Sequence, residues 1–111
     1  MGSFRGPRAT AFLEHLTPSS LTALAPGKST LSTLLLPSGG IIDDTVLTRR
    51  ADDDWYVVTN AGRAAEDTAW FAQQLDEGKW RDGVEWEVLE GWGLLALQGE
   101  SSIFCSFFLR I

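Results

Sequence analysis

The chain has 111 residues, 44% of them hydrophobic and 22% charged, which suits one globular domain rather than several. A net charge of −6 argues against nonspecific binding to DNA, RNA or anionic membrane. One cysteine, Cys105, and one histidine, His15, exclude an internal disulfide framework, a thiolate metal cluster, most zinc sites and any histidine-based triad. No apolar segment approaches the roughly 20 residues that span a bilayer, and the start Met1-Gly2-Ser3-Phe4-Arg5 lacks the apolar core of a signal peptide.

Gly6-Pro7 followed by Arg8 to Leu16 predicts a first helix, with proline in its first turn and an apolar stripe of Phe12, Leu13 and Leu16. Pro18 stops it, because the residue before a proline is pushed out of the helical region. Ser20 to Leu24 can add one helical turn before Pro26-Gly27. Ser29 to Leu36 reads as a strand with both faces partly covered, and Pro37-Ser38-Gly39-Gly40 turns it into a hairpin.

The second strand of that hairpin holds the most informative pair in the chain. Ile41-Ile42-Asp43-Asp44-Thr45-Val46 sets two adjacent carboxylates inside an apolar run. Neighbouring side chains on a strand point to opposite faces, so Asp44 goes with Ile42 and Val46, and Asp43 with Ile41 and Leu47. One acid can face solvent; the other is pressed toward a packed surface. Burying an unpartnered carboxylate costs several kcal/mol, so packing alone seldom places one there. An edge strand with both acids wetted is the competing reading.

Arg49 to Asp54 reads as a charged, solvated turn, and Trp55 to Thr59 as the third strand. Asn60 ends that strand and is placed to cap the next helix. In that helix Ala64, Ala65, Thr68, Ala69, Phe71, Ala72 and Leu75 recur at three-to-four spacing. Glu66 and Asp67 lie early in it, where the helix dipole favours negative charge. Val84 to Val88 alternates as a half-exposed strand, and the continuous apolar run Trp92 to Gln98 predicts a more buried one. Of the five tryptophans, those at 70, 80, 86 and 92 read as packing and surface anchors rather than ligand stackers. The expected class is α+β: a mostly antiparallel sheet with helices packed on one side.

Residues 100–111, ending Phe104-Cys105-Ser106-Phe107-Phe108-Leu109-Arg110-Ile111, form an apolar stretch without alternation or caps. They read either as a last buried strand or as sequence standing where a natural continuation was lost.

Five blocks in order carry a family resemblance: Phe12-Leu13-Glu14-His15-Leu16-Thr17, Ser29-Thr30-Leu31-Ser32, Gly39-Gly40-Ile41-Ile42-Asp43-Asp44, Tyr56 to Ala61 with Glu66-Asp67, and Leu95-Ala96-Leu97-Gln98-Gly99. Together they resemble the aminomethyltransferases, or T-proteins, of the glycine cleavage system. The resemblance runs from about Phe4 to Gly99. It implies a partial folate-binding domain over residues 1–99, with a divergent apolar tail at 100–111. Members of that family take an aminomethyl group from the lipoyl arm of a carrier protein, release ammonia and form methylenetetrahydrofolate.

By the same resemblance, Asp44 matches the acid beside the reactive part of the folate and is the expected catalytic residue, with Asp43 structural. An acid there makes chemical sense: a carboxylate holds pterin N–H donors, and its charge favours a cationic iminium. Asn60 matches a folate-side asparagine, a role compatible with capping; Leu31 is expected to line the pocket, and Thr59 and Ala61 to flank it. The implied acceptor is tetrahydrofolate, with no metal, no nucleic acid and no membrane. The implied partner is the lipoyl carrier protein, and the implied compartment the mitochondrial matrix.

Family members extend further on both sides, with an upstream aspartate-valine-serine-histidine strand and downstream glutamate, arginine and aromatic residues that clamp the folate. After Gln98-Gly99 they continue with proline and an amphipathic helix, where this chain has Glu100 and the apolar tail. The chain is therefore expected to behave as a fragment, inactive and weak in folate binding by itself. A non-catalytic folate-binding relative serving iron–sulfur cluster assembly, or a degenerate interaction module, are the alternatives; the Lys-Gly-Cys-Tyr motif of the former is not found here, where it would in any case lie beyond this chain's end.

Overall fold

The computed structural model describes residues 1–103. Of the apolar tail expected at residues 100–111, residues 104–111 lie outside the described residues. Five strands form one antiparallel sheet in the order β2-β3-β4-β1-β5: β1 (Gly2–Arg5), β2 (Ser29–Leu35), β3 (Ile41–Ala51), β4 (Asp54–Val58) and β5 (Glu85–Val88). Two helices, α1 (Ala9–Leu16) and α2 (Ala64–Glu77), accompany it. The α+β expectation holds. Neither helix is long and apolar enough to cross a membrane.

Local chemistry explains most element ends. Helix α1 closes at Thr17, whose backbone turns extended before Pro18 and whose hydroxyl donates back to the Leu13 carbonyl at 2.9 Å. The β2–β3 hairpin turns through Gly39 at φ +91°, a left-handed conformation that favours glycine. Strand β3 runs further than the composition suggests, so only Asp52 and Asp53 separate it from β4. Arg49 does not lie in a solvated loop: it donates to the Leu24 and Thr22 carbonyls at 2.6 and 3.3 Å and sits 5.6 Å over the Trp55 ring. That guanidinium ties the 21–24 turn, which is not helical, to the sheet.

The core lies between the sheet and the two helices. Phe4, Leu34, Leu47, Trp55 and Val57 from the sheet meet Phe12, Leu13 and Leu16 of α1 and Phe71 and Leu75 of α2. Phe4 is its hub, with ring centroids 5.8 Å from Phe12, 5.1 Å from Phe71 and 6.1 Å from Trp86. Trp86 and Trp80 pack against this core, in keeping with the anchoring role expected of the tryptophans.

One strand goes unannounced and two expectations fail, for physical reasons. β1 is a sheet-forming strand that its four residues were too few to announce by alternation. The apolar run Trp92 to Gln98 is neither strand nor buried; Leu94 and Leu95 are exposed. A strand needs a ladder partner and a face to bury, and among the described residues no strand pairs with that run. β2 is an edge strand with one covered face, so Leu34 and Ser32 are buried while Leu31 is 72% exposed.

Candidate functional site

Strand alternation sorts the two acids of β3. Asp43 shares the covered face with Thr45 and Leu47, all three buried, whereas Asp44 and Val46 face the open side. The pairing Val46↔Val58, carried two residues further along both chains, brings Asn60 opposite Asp44. Asn60 follows β4 at the point where the chain leaves the sheet for a short 3-10 turn, Ala61–Arg63, and then α2. It therefore stands at the sheet end, within reach of acids on both faces.

Its amide uses that position fully. Asn60 Nδ2 donates to Asp43 Oδ1 at 2.6 Å and also to Asp44 Oδ1. Its backbone N–H donates to Asp43 Oδ2 at 3.1 Å, and the Asp44 N–H donates to Asp43 Oδ1 at 2.9 Å. Only the amide nitrogen suits a place between two carboxylate oxygens, because its two protons serve one acceptor each. Asn60 makes no side-chain cap on the following turn. The capping expectation is corrected: a cap needs Asn60 Oδ1 to accept from a backbone N–H of the turn, and with Nδ2 held by both carboxylates the oxygen makes no such bond.

Around Asp44 the open face forms a shallow concavity of about 70 Å³, lined by Leu31, Asp44, Thr45, Val46, Val58, Thr59 and Asn60. The four residues singled out in the sequence, Asp44, Asn60, Leu31 and Thr59, thus come together. Leu31 reaches the site because it pairs with Val46 across β2 and β3. Thr45 turns its hydroxyl to the Val58 carbonyl at 2.7 Å and helps hold β3 to β4 there. Arg63 donates to the Ile42 carbonyl through Nε at 3.2 Å and Nη2 at 3.0 Å, fixing the turn after Asn60 against the same strand.

Behind the sheet stands Asp67, which the sequence places at the helix start but does not assign to the site. Asp67 of α2 is 1% exposed, and neither carboxylate oxygen has a hydrogen-bond donor. Both acids do lie in the first turn of α2, as expected, but only Glu66 is solvated, 3.6 Å from Arg63. Burial first, then the neighbouring Asp43 carboxyl with its charge, push the Asp67 carboxyl up to about 7. Burial also opposes ionisation of Asp43, but the Asp67 carboxyl beside it and the hydrogen bonds it accepts from Asn60 and the Asp44 N–H outweigh that and hold Asp43 at about 2. The signal was legible: Asp67, Phe71 and Leu75 repeat every four residues, so an acid stands on the apolar stripe.

Comparison with known proteins gives this geometry a family. The GCVT N-terminal domain family matches residues 2–103. The chain is 47% identical over 95 residues to the mitochondrial aminomethyltransferase of Saccharomyces cerevisiae, covering 85% of this chain and 24% of that protein. It is 38% identical over 106 residues to the aminomethyltransferase of Prosthecochloris aestuarii, covering 93% of this chain and 28% of that protein. The crystal structure of the glycine cleavage system aminomethyltransferase T from Bartonella henselae superimposes with a TM-score of 0.72 at 32% identity, over 80% of this chain and 24% of that one. The chain thus spans about a quarter of the length of the relatives it matches. With the match covering nearly its whole length, the chain belongs to the GCVT N-terminal domain family.

Proposed function

We propose that this chain forms one wall of the tetrahydrofolate site of a glycine cleavage aminomethyltransferase, with Asp44 as the catalytic carboxylate. The observation that carries the reading is the concavity itself: Asp44 stands in it as an exposed carboxylate, oriented by the Asn60 amide and flanked by Leu31 and Thr59. An anion fixed in this way can accept pterin N–H donors and favour positive charge on the carbon being transferred. Leu31 and Val46 offer an apolar surface for the flat ring, and Thr59 sits at the rim.

The donor in this reading is the aminomethyl group on a lipoyl carrier protein, and ammonia leaves as the carbon passes to tetrahydrofolate. No metal takes part. Similarity to mitochondrial relatives supports the mitochondrial matrix as the compartment. A concavity of about 70 Å³ is small beside the roughly 300 Å³ or more of a typical ligand pocket. This chain alone should therefore bind folate more weakly than micromolar and transfer no one-carbon unit.

Weak binding is still measurable. Titrating tetrahydrofolate into the isotope-labelled chain should move the amide signals of Leu31, Asp44, Thr59 and Asn60 together, with little change on the helices. Shifts centred on the helices, or none at millimolar ligand, would remove the folate reading.

A further inference from the structure

Asp67 has no part in the reading above, yet its placement needs a reason. A carboxyl enclosed on a helix stripe, with no donor for either oxygen, needs a proton or a cation. The charged groups facing it are Asp43 from β3, Arg63 from the 3-10 turn and Glu66 from its own helix. Arg63 is engaged by the Ile42 carbonyl and by Glu66. Asp43 remains as the neighbouring carboxyl, and Asp43 is the group on which Asn60 hangs by two bonds.

We propose that Asp67 is a positioning residue: from behind the sheet its carboxyl braces Asp43, which orients the Asn60 amide and, through it, the Asp44 carboxylate on the open face. Two enclosed neighbouring carboxyls hold one proton between them far more readily than none. With the proton on Asp67, its O–H can donate to Asp43 and the brace is closed. When that proton leaves to solvent, two anions face each other, Asp43 is repelled, and the hold on Asn60 loosens. Asp67 touches no ligand in this scheme; it acts across the sheet. The tie to folate rests on the proposed function, whereas the linkage between Asp67 and Asn60 does not.

The test follows carboxyl carbon signals of Asp43 and Asp67, and the side-chain amide of Asn60, in the full chain from about pH 4 to about pH 9. Asp67 is expected to titrate at about 7, with the Asn60 amide moving at the same midpoint. An Asp67 midpoint near the ordinary carboxylate value, or an Asn60 signal that stays still while Asp67 titrates, overturns the proposal. Asp67→Asn keeps a donor toward Asp43 without an ionisable proton, so it should abolish the Asn60 midpoint near neutrality. A residue that merely fills space would change the unfolding temperature and leave that midpoint in place.

The ligand arm uses tetrahydrofolate itself. Its affinity for the wild-type chain should fall several-fold as pH rises through the Asp67 midpoint, and should stay level in Asp67→Asn. A matching pH dependence in both proteins would count against the brace. No folate binding at any pH, with the Asn60 midpoint intact, would sink the folate reading and leave the positioning role standing. If Asp67→Asn fails to fold, the wild-type titration alone still decides.

Discussion

The two faces of the sheet obey different rules. On the covered face, Phe4, Leu34, Leu47, Trp55 and Val57 are almost wholly enclosed, and what each position requires is apolar volume. On the open face, Leu31, Val46 and Trp92 are exposed, and the polar pairs Arg50–Asp54 at 2.8 Å and Arg5–Glu87 at 3.1 Å share that surface. Exposed pairs of this kind stabilise little. Packing therefore accounts for the covered face and leaves the open one unexplained, so the residues of the open face are where function must be sought. Asp43 and Asn60 are the joint between the two: one carboxylate behind the sheet, one in front, and one amide holding both.

The largest break of this contrast is a cavity on the covered side. Trp55→Ala removes an enclosed indole that also donates to Thr10 Oγ1 at 2.9 Å, and should cost about 3–5 kcal/mol by chemical denaturation. A loss that size is a large part of a small domain's stability. A cost below about 1 kcal/mol would mean that the sheet–helix core is not the main source of stability.

Next in size is the pH dependence of folding. Asp67 has its folded pKa raised to about 7 from 3.8, so between those values the native chain holds a proton that the unfolded chain has released. Stability must then fall as pH rises across that window, by at most about 1.4 kcal/mol per unit, and level off above it. Asp43, lowered from 3.8 to about 2, works in the other direction: the stability it contributes is present above its unfolded value and lost as pH falls through 2. Denaturation midpoints measured against pH should decline from mildly acidic toward neutral pH in the wild type, and Asp67→Asn should flatten that decline.

Asn60→Asp comes third. It replaces a donor by an acceptor between two carboxylates, so it should destabilise the chain by about 1–2 kcal/mol and weaken folate binding as well. Retained stability and binding would show that the amide is not the link between the faces. Smallest is Leu31→Ser, on the open face, which should shift stability by no more than about 0.5 kcal/mol while reducing folate affinity. That split is the signature of a surface residue kept for a ligand.

How much of this the sequence disclosed varies with the kind of signal. The hairpin at Gly39, the end of α1 before Pro18 and the separation of Asp43 from Asp44 follow from local rules, and local rules were enough. β1 and the run at 92–98 depend on which edges are available for pairing, and hydropathy does not report that. In α2 the stripe of small residues was given too much weight: Ala64, Ala65, Thr68 and Ala69 are exposed, and the buried line is Asp67, Phe71 and Leu75. Alanine occurs on either side of a helix, so it indicates burial poorly; an acid spaced with Phe and Leu was the stronger clue. Position alone singles out Asn60 in the sequence, but a cap and a carboxylate clamp draw on the same residue type, so its chemistry shows only in the fold.

The central claim is that the carboxylate in front of the sheet serves the ligand and the one behind it serves the fold. Tetrahydrofolate affinity and unfolding midpoint, measured on the same samples of Asp44→Asn and Asp43→Asn, test this directly. Asp44 is exposed, so its substitution relieves no buried charge; it should weaken binding and leave the midpoint within about 0.5 kcal/mol of wild type. Asp43→Asn should lower the midpoint, because it replaces an enclosed acceptor of three donors. Unchanged affinity in Asp44→Asn, with binding lost in a well-folded Asp43→Asn, would contradict the account and move the ligand-facing role to the other acid.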